Sequence, residues 1–256
     1  MLLLPRPMPS RQLALQVLNA PLAQHEVEAA ILALKPSRAA DAQGLTAEAL
    51  KARCGRHAGI PRGPRPLVLA PLLTDMLQGI FSGRLDMPPS FAINTITPVY
   101  KGKGDRNAPA SYRPIVVGDL LGKVYESVLN KRLSRVPALV PAARSESQCG
   151  FREGRGTLDG IFILLHLVQR ARAMRRPLYA VLVDFRMAFD IVDRALLRDQ
   201  WCSLGISGVF LDALTSLYQH IHMQVQVNGE IGPPFATTLR NAEETCLEAA
   251  TGYLIR

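Results

Sequence analysis

The spacing of apolar residues changes several times along this chain, and each change marks an element. Residues 1–24 are Pro-rich and weakly patterned. In "HEVEAAILALK", Val27, Ala30, Ile31 and Leu34 recur at i, i+3, i+4 and i+7, the stripe of a short amphipathic helix. "TAEALKA" reads as helix, and "GRHAGIPRGPRP" (55–66), with three Gly and three Pro, reads as a linker or long loop. Helical spacing returns from Leu67 to Phe81, with Gly83 as its stop. "AINTITPVY" (92–100) is rich in β-branched residues and predicts a strand, followed by the basic, glycine-containing turn "KGKGDRNAPAS". Asp119 then caps a helix whose stripe is Leu121, Val124, Tyr125, Val128 and Leu129.

A second long helix, "TLDGIFILLHLVQRARAMRR", takes Thr157 as N-cap and carries basic residues in its last turns, where the helix dipole favours them. "LYAVLVD" (178–184) reads as a buried strand that ends on a carboxylate. Two helices follow, near 193–204 (Asp193 cap, Gly205 stop) and near 207–220 (Ser207 cap). "HMQVQVNGEIG" alternates about Asn228-Gly229, a strong hairpin signal. This order predicts an α/β or α+β fold with a small sheet.

Composition narrows the class of partner. The chain has 256 residues, enough for one large domain or two small ones, and 48% hydrophobic content, which is globular. Thirty Lys+Arg against 21 Asp+Glu give a net charge of +9, which favours an anionic partner, most simply nucleic acid; the alternative is a solvated basic surface. Cys54, Cys149, Cys202 and Cys246 form no C-x-x-C pair, so a structural zinc or redox site is not expected and a reducing compartment is. The apolar start is too short for a signal peptide, and no run approaches a membrane span of about 20 residues. No membrane partner is expected.

The candidate chemistry centres on "YAVLVDFRMAFDIVDR". A strand fixes its backbone, so a carboxylate at its end is well placed to hold a metal; Mg²⁺ prefers such oxygen ligands. Asp184 could equally cap a turn or pair with Arg186, and Phe189 in isolation could be core.

The same stretch resembles the first palm motif of reverse transcriptases of LINE-type (non-LTR) retrotransposons: apolar strand, Asp, four residues, aromatic, Asp. The resemblance implies that Asp184 is the metal-binding catalytic carboxylate, that the Phe185 carbonyl is a further metal ligand, and that Phe189 is the steric gate beneath the sugar of the incoming nucleotide. Asp190 matches a structural residue. "TITPVYKGKGDRNAPASYRPIVVGDLLGKVYESVLNKRL" is similar to the family's fingers hairpin and following helix, which implies that Lys101, Lys103 and Arg113 meet the incoming triphosphate. "SQCGFREGRGTLDGI" is similar to the next block, which implies that Gln148, Gly150, Phe151, Arg152 and Arg155 line the template–primer track. "LKPSRAADAQGLTAEALK" resembles the pre-fingers block, with Gln43 where the family usually has Asp, and "NGEIGPPF" resembles the hairpin before the second palm motif.

The resemblance implies a right-hand polymerase architecture of fingers and partial palm. It assigns 25–235 to a partial reverse transcriptase domain, 1–24 to a poorly patterned N-terminal segment and 236–256 to a non-family tail. It also implies an RNA template, a DNA primer, dNTPs and Mg²⁺, and an intracellular location, nuclear or cytoplasmic. After Phe235 the family continues with a Gln-Gly block and an Asp-Asp hairpin; beyond Phe235 this sequence reads "ATTLRNAEETCLEAATGYLIR", with neither. Phosphoryl transfer of this kind uses two metals about 4 Å apart. The expectation is therefore a truncated or frameshifted product, or an alternative exon, inactive on its own. The alternatives are a non-catalytic module binding RNA or an RNA–DNA hybrid, and an inert relic.

Overall fold

The computed structural model describes residues 11–37, 40–41, 43–54, 65–108, 111–136, 147–150, 154–184, 192–218, 221–227 and 229–236. The early elements are α1 (Arg11–Asn19), α2 (Gln24–Ala33), α3 (Ala47–Leu50), α4 (Ala70–Phe81), α5 (Pro89–Ala92), β1 (Ile93–Tyr100) and β2 (Tyr112–Val117). Then come α6 (Leu120–Ser134), α7 (Thr157–Ala173), α8 (Arg194–Ser203), α9 (Val209–Tyr218), β3 (His222–Val227), β4 (Glu230–Ile231) and β5 (Phe235–Ala236). The sheet order is β2-β1-β3-β4, with β5 also on β3. β1 is antiparallel to β2 and parallel to β3, so the helices between them form one long crossover. The α/β class and the small mixed sheet agree with the sequence pattern.

The core is one apolar cluster contributed by nearly every helix: Leu18, Ile31, Leu77, Val124, Leu129, Trp201, Phe210 and Leu214 are all essentially inaccessible. Within it lies a buried ion pair. Arg132, near the end of α6, donates from Nε to Glu26 Oε1 at 3.0 Å and from Nη2 to Glu26 Oε2 at 2.5 Å. Its remaining N–H groups reach the carbonyls of Leu18, Ala20 and Pro21, and its guanidinium lies 5.3 Å from the Phe81 ring centroid. One side chain thereby joins α6, α2, the α1–α2 turn and α4. Gln78 of α4 adds a bond, accepting from the Leu22 backbone N–H at 2.5 Å.

The segment read as weakly patterned contains helix α1, which buries Ala14 and Leu18 against α6 and α9. Asn19 ends it and works at long range. Its Nδ2 donates to the Leu15 and Ser207 carbonyls, and its Oδ1 accepts from the Phe210 N–H at 2.9 Å. That bond satisfies one of the open N–H groups at the start of α9, the task the sequence assigns to Ser207. Gly208 (φ +75°) makes the approach possible, because a Cβ there would sit 2.8 Å from Asn19 Oδ1. A second cap also moves: Gly156, not Thr157, is the N-cap of α7, and its N–H donates to Asp159 at 2.6 Å. Asp119 and Asp193 cap α6 and α8 as expected.

The predicted strand 178–184 is not a strand. A strand exists through backbone bonds to neighbours, and none of the described strands pairs with this run. Its apolar residues stand in solvent: Leu182 is 93% exposed and Val181 88%. Helix α7 likewise buries no residue, leaving Leu158, Phe162 and Leu165 exposed. Among the described residues, none packs a core around the core-type sequence between 157 and 184. The 55–66 linker lies mostly, and the predicted tail beyond 236 wholly, outside the described residues. No helix among the described residues is long and apolar enough to cross a membrane.

The ion pair has a pH signature. Burial alone would push the Glu26 carboxyl up; the Arg132 hydrogen bonds, the Ala23 N–H and the charges of Arg132 and Arg135 together outweigh it and hold the group below its usual value. A depressed carboxyl stabilises the fold above its unfolded pKa, near 4.3, and that stabilisation is lost as pH falls through the folded value. Glu26→Gln should cost about 3 kcal/mol at pH 7, the scale for breaking a buried pair. Urea midpoints should show the gap to wild type closing as pH falls below about 5 and through the lowered folded value; a constant or widening gap contradicts this.

Candidate functional site

The basic hairpin is the best-defined of the predicted site regions. Thr95, Ile96, Thr97 and Val99 give β1 its β-branched character, and six residue pairs lock it to β2, from Thr95↔Val117 to Tyr100↔Tyr112. The ladder continues one step, with the Lys101 N–H donating to Ser111 O at 2.9 Å. Beyond it the turn bears Lys101, Lys103 and Arg106, all exposed. Gly102 (φ +77°) and Gly104 (φ +89°) occupy the left-handed region, and a Cβ on Gly104 would come within 2.6 Å of Ser111 Oγ. Asp105 accepts from the Asn107 N–H at 2.9 Å and closes the turn locally.

Strand alternation sorts the side chains. Arg113 lies opposite Val99 and projects from one face of the ribbon; Tyr100 and Tyr112, the adjacent pair, project from the other. The two rings meet at 5.5 Å. Lys101, Lys103 and Arg113 thus share one hairpin, which the sequence foresaw. The tyrosines it passed over; their sequence signal is one aromatic on each side of a basic, glycine-containing turn.

A rigid base carries this hairpin. Asp41 Oδ1 accepts from the Leu45 N–H at 2.8 Å, and its Oδ2 accepts from the Leu120 N–H at 3.1 Å. The pre-fingers loop is thereby fixed to the start of α6, directly after β2. Gln43, noted where the family usually has Asp, forms no such bridge; its backbone N–H instead donates to Asp41.

The remaining site residues are less gathered. Gln148 Nε2 donates to Gly150 O at 3.1 Å within one turn, and Arg155 lies partly buried just before α7. Phe151, Arg152, Phe185, Phe189 and Asp190 fall outside the described residues. Asp184 is described and exposed, at the end of the unpaired run. Among the described residues, no group of three or more His, Cys, Asp or Glu side chains could hold a metal ion. The hairpin carries four exposed cations, Lys101, Lys103, Arg106 and Arg113, while Asp184 presents a single carboxylate.

Residues 101–238 match the family described as reverse transcriptase (RNA-dependent DNA polymerase), which takes in the basic turn, β2, α6 to α9 and the β3–β5 edge. The chain is 30% identical over 205 residues to the "Retrovirus-related Pol polyprotein from type-1 retrotransposable element R2" of Popillia japonica, covering 77% of this chain and 25% of that protein. It is 28% identical over 108 residues to the "Probable RNA-directed DNA polymerase from transposon BS" of Drosophila melanogaster, covering 41% of this chain and 12% of that one. A second R2 polyprotein, from Bradysia coprophila, is 20% identical over 151 residues, covering 59% and 16%. The chain thus spans a quarter or less of the length of these relatives. With the basic turn, β2 and α6 to α9 inside the matched region, which is more than half of the chain, the chain belongs to the reverse transcriptase (RNA-dependent DNA polymerase) family, with relatives of the non-LTR retrotransposon type.

Proposed function

We propose that this chain supplies the nucleotide- and nucleic-acid-facing part of an RNA-directed DNA polymerase, and that alone it binds without polymerising. The observation that carries this reading is the β1–β2 hairpin, with Lys101 and Lys103 on its glycine turn and Arg113 on the adjoining strand β2. Ammonium and guanidinium groups so placed suit phosphate oxygens. In this reading they receive the triphosphate of a dNTP, and Gln148, Gly150, Phe151, Arg152 and Arg155 track the RNA template and DNA primer. The unit assigned to the task is 25–235.

Reverse transcriptases generally use divalent metal ions. The residues described here do not fit a two-metal centre, because Asp184 stands exposed without a carboxylate cluster around it. We assign Asp184 and the Phe185 carbonyl as the contribution of this chain to such a centre and Phe189 as its sugar gate, and assign no chemical step to the chain by itself. Its own residues bind and orient phosphate groups.

Two measurements test this reading. With a primed RNA template, dNTPs and Mg²⁺ or Mn²⁺, the chain should give no extension; extension that Asp184→Asn abolishes would overturn the binding-only assignment. Single-stranded RNA should bind at low salt, with a log–log salt slope of about −0.7 per phosphate contact, and replacing Lys101, Lys103 and Arg113 together by Ala should flatten that slope by about 2. A salt-independent affinity contradicts the proposal. Asp184 has no structural task in this reading, so Asp184→Asn should leave stability within about 0.5 kcal/mol of wild type by urea denaturation. A larger loss would make it a fold residue.

A further inference from the structure

We propose that Tyr100 and Tyr112 are positioning residues that hold the basic turn ready for a polyphosphate chain, an inference that rests on the anion-binding reading above. The last β1–β2 pair sets the two rings side by side, and each hydroxyl reaches forward into the turn. Tyr100 Oη donates to the Gly104 carbonyl at 2.7 Å, and Tyr112 Oη donates to the Arg106 carbonyl at 2.9 Å. The Arg106 guanidinium completes the arrangement, 5.3 Å from the centroid of the Tyr100 ring.

These ties matter because of what they restrain. Gly102 and Gly104 leave the turn with more backbone freedom than any other residue type would. A flexible loop must be ordered when it binds, and that entropic cost is subtracted from affinity. Two hydroxyl–carbonyl bonds placed two residues apart fix the carbonyls on either side of Asp105 before any ligand arrives. The tyrosines stand on the face of the ribbon opposite Arg113, so they act through the turn and need not touch the phosphates. Both are only partly buried and the turn is exposed, so removing the hydroxyls leaves the core intact. The ligand class that fits a short, preset run of cations is a compact chain of phosphates such as a nucleoside triphosphate. A long RNA backbone spreads its charge over more of the surface.

The test is the full chain carrying Tyr100→Phe and Tyr112→Phe together, with inorganic tripolyphosphate as probe and a 12-nucleotide single-stranded RNA as second arm. Each hydroxyl bond is a modest surface interaction, so the pair should lower tripolyphosphate affinity about five- to tenfold. The salt slope should not change, because no charge is removed, and the melting temperature should stay that of wild type. Arg113→Ala should behave in the opposite way and flatten the slope. Unchanged tripolyphosphate affinity in the double variant overturns the positioning role. So does a melting temperature that falls with affinity, which would make the tyrosines fold elements; the single variant Tyr100→Phe repeats the test if the double variant folds poorly. A loss confined to the RNA arm overturns the polyphosphate assignment. Failure of the wild-type chain to bind tripolyphosphate at low salt would instead sink the anion-binding reading itself, and this inference with it.

Discussion

Arg132 is the constraint on which the rest of the arrangement depends. Its side chain is 3% exposed and its partner Glu26 9%, so neither charge can be satisfied by water. Taking such a pair out of water costs several kcal/mol per ion, and only good geometry with further hydrogen bonds offsets that cost. Here two bonds to one carboxylate and three to backbone carbonyls supply the geometry. The carbonyls belong to Leu18, Ala20 and Pro21, which fixes the path of the chain between α1 and α2. A hydrophobic contact would tolerate sliding; this set of directed bonds does not.

From that node the restraints run to both ends of the candidate site. Fixing the α1–α2 turn fixes Asn19, which caps α9 and so sets the start of the helix leading into β3. β3 lies parallel to β1, whose far end is the basic hairpin. On the other side, α6 begins where Asp41 holds Leu120 and Asp119 caps Gly122, immediately after β2 leaves the same hairpin. The hairpin therefore projects from a sheet gripped at both flanks. A binding element needs such a base, because ordering costs paid in the free protein need not be paid again on binding.

Much of this was legible in the sequence where one rule acted alone. The α6 stripe and its Asp119 cap, the Asn228-Gly229 hairpin and the basic turn are local patterns with local causes. Long-range causes were harder to see. Arg132 sits in the last turn of α6, where a basic residue reads as dipole compensation on a solvated face, yet it is buried by a glutamate 106 residues away. Asn19 caps a helix that starts after residue 207, which no capping pattern in sequence can register. Tyr100 and Tyr112 look like ordinary strand aromatics until the register sets them side by side. The run 178–184 shows the reverse failure: its sequence is that of a buried strand, but a strand is a property of neighbours, and none of the described strands takes that place. The site residues at 151–152, 185 and 189 lie outside the described part, and the roles of all the site residues are proposals.

Native-state hydrogen exchange on wild type and Arg132→Met tests the central claim most directly. If Arg132 joins α1, α2 and α6 into one cooperative unit, amides in all three helices should lose protection together and by the same opening free energy, about 3–5 kcal/mol. Loss confined to the last turn of α6, with α1 and α2 as protected as in wild type, would contradict it.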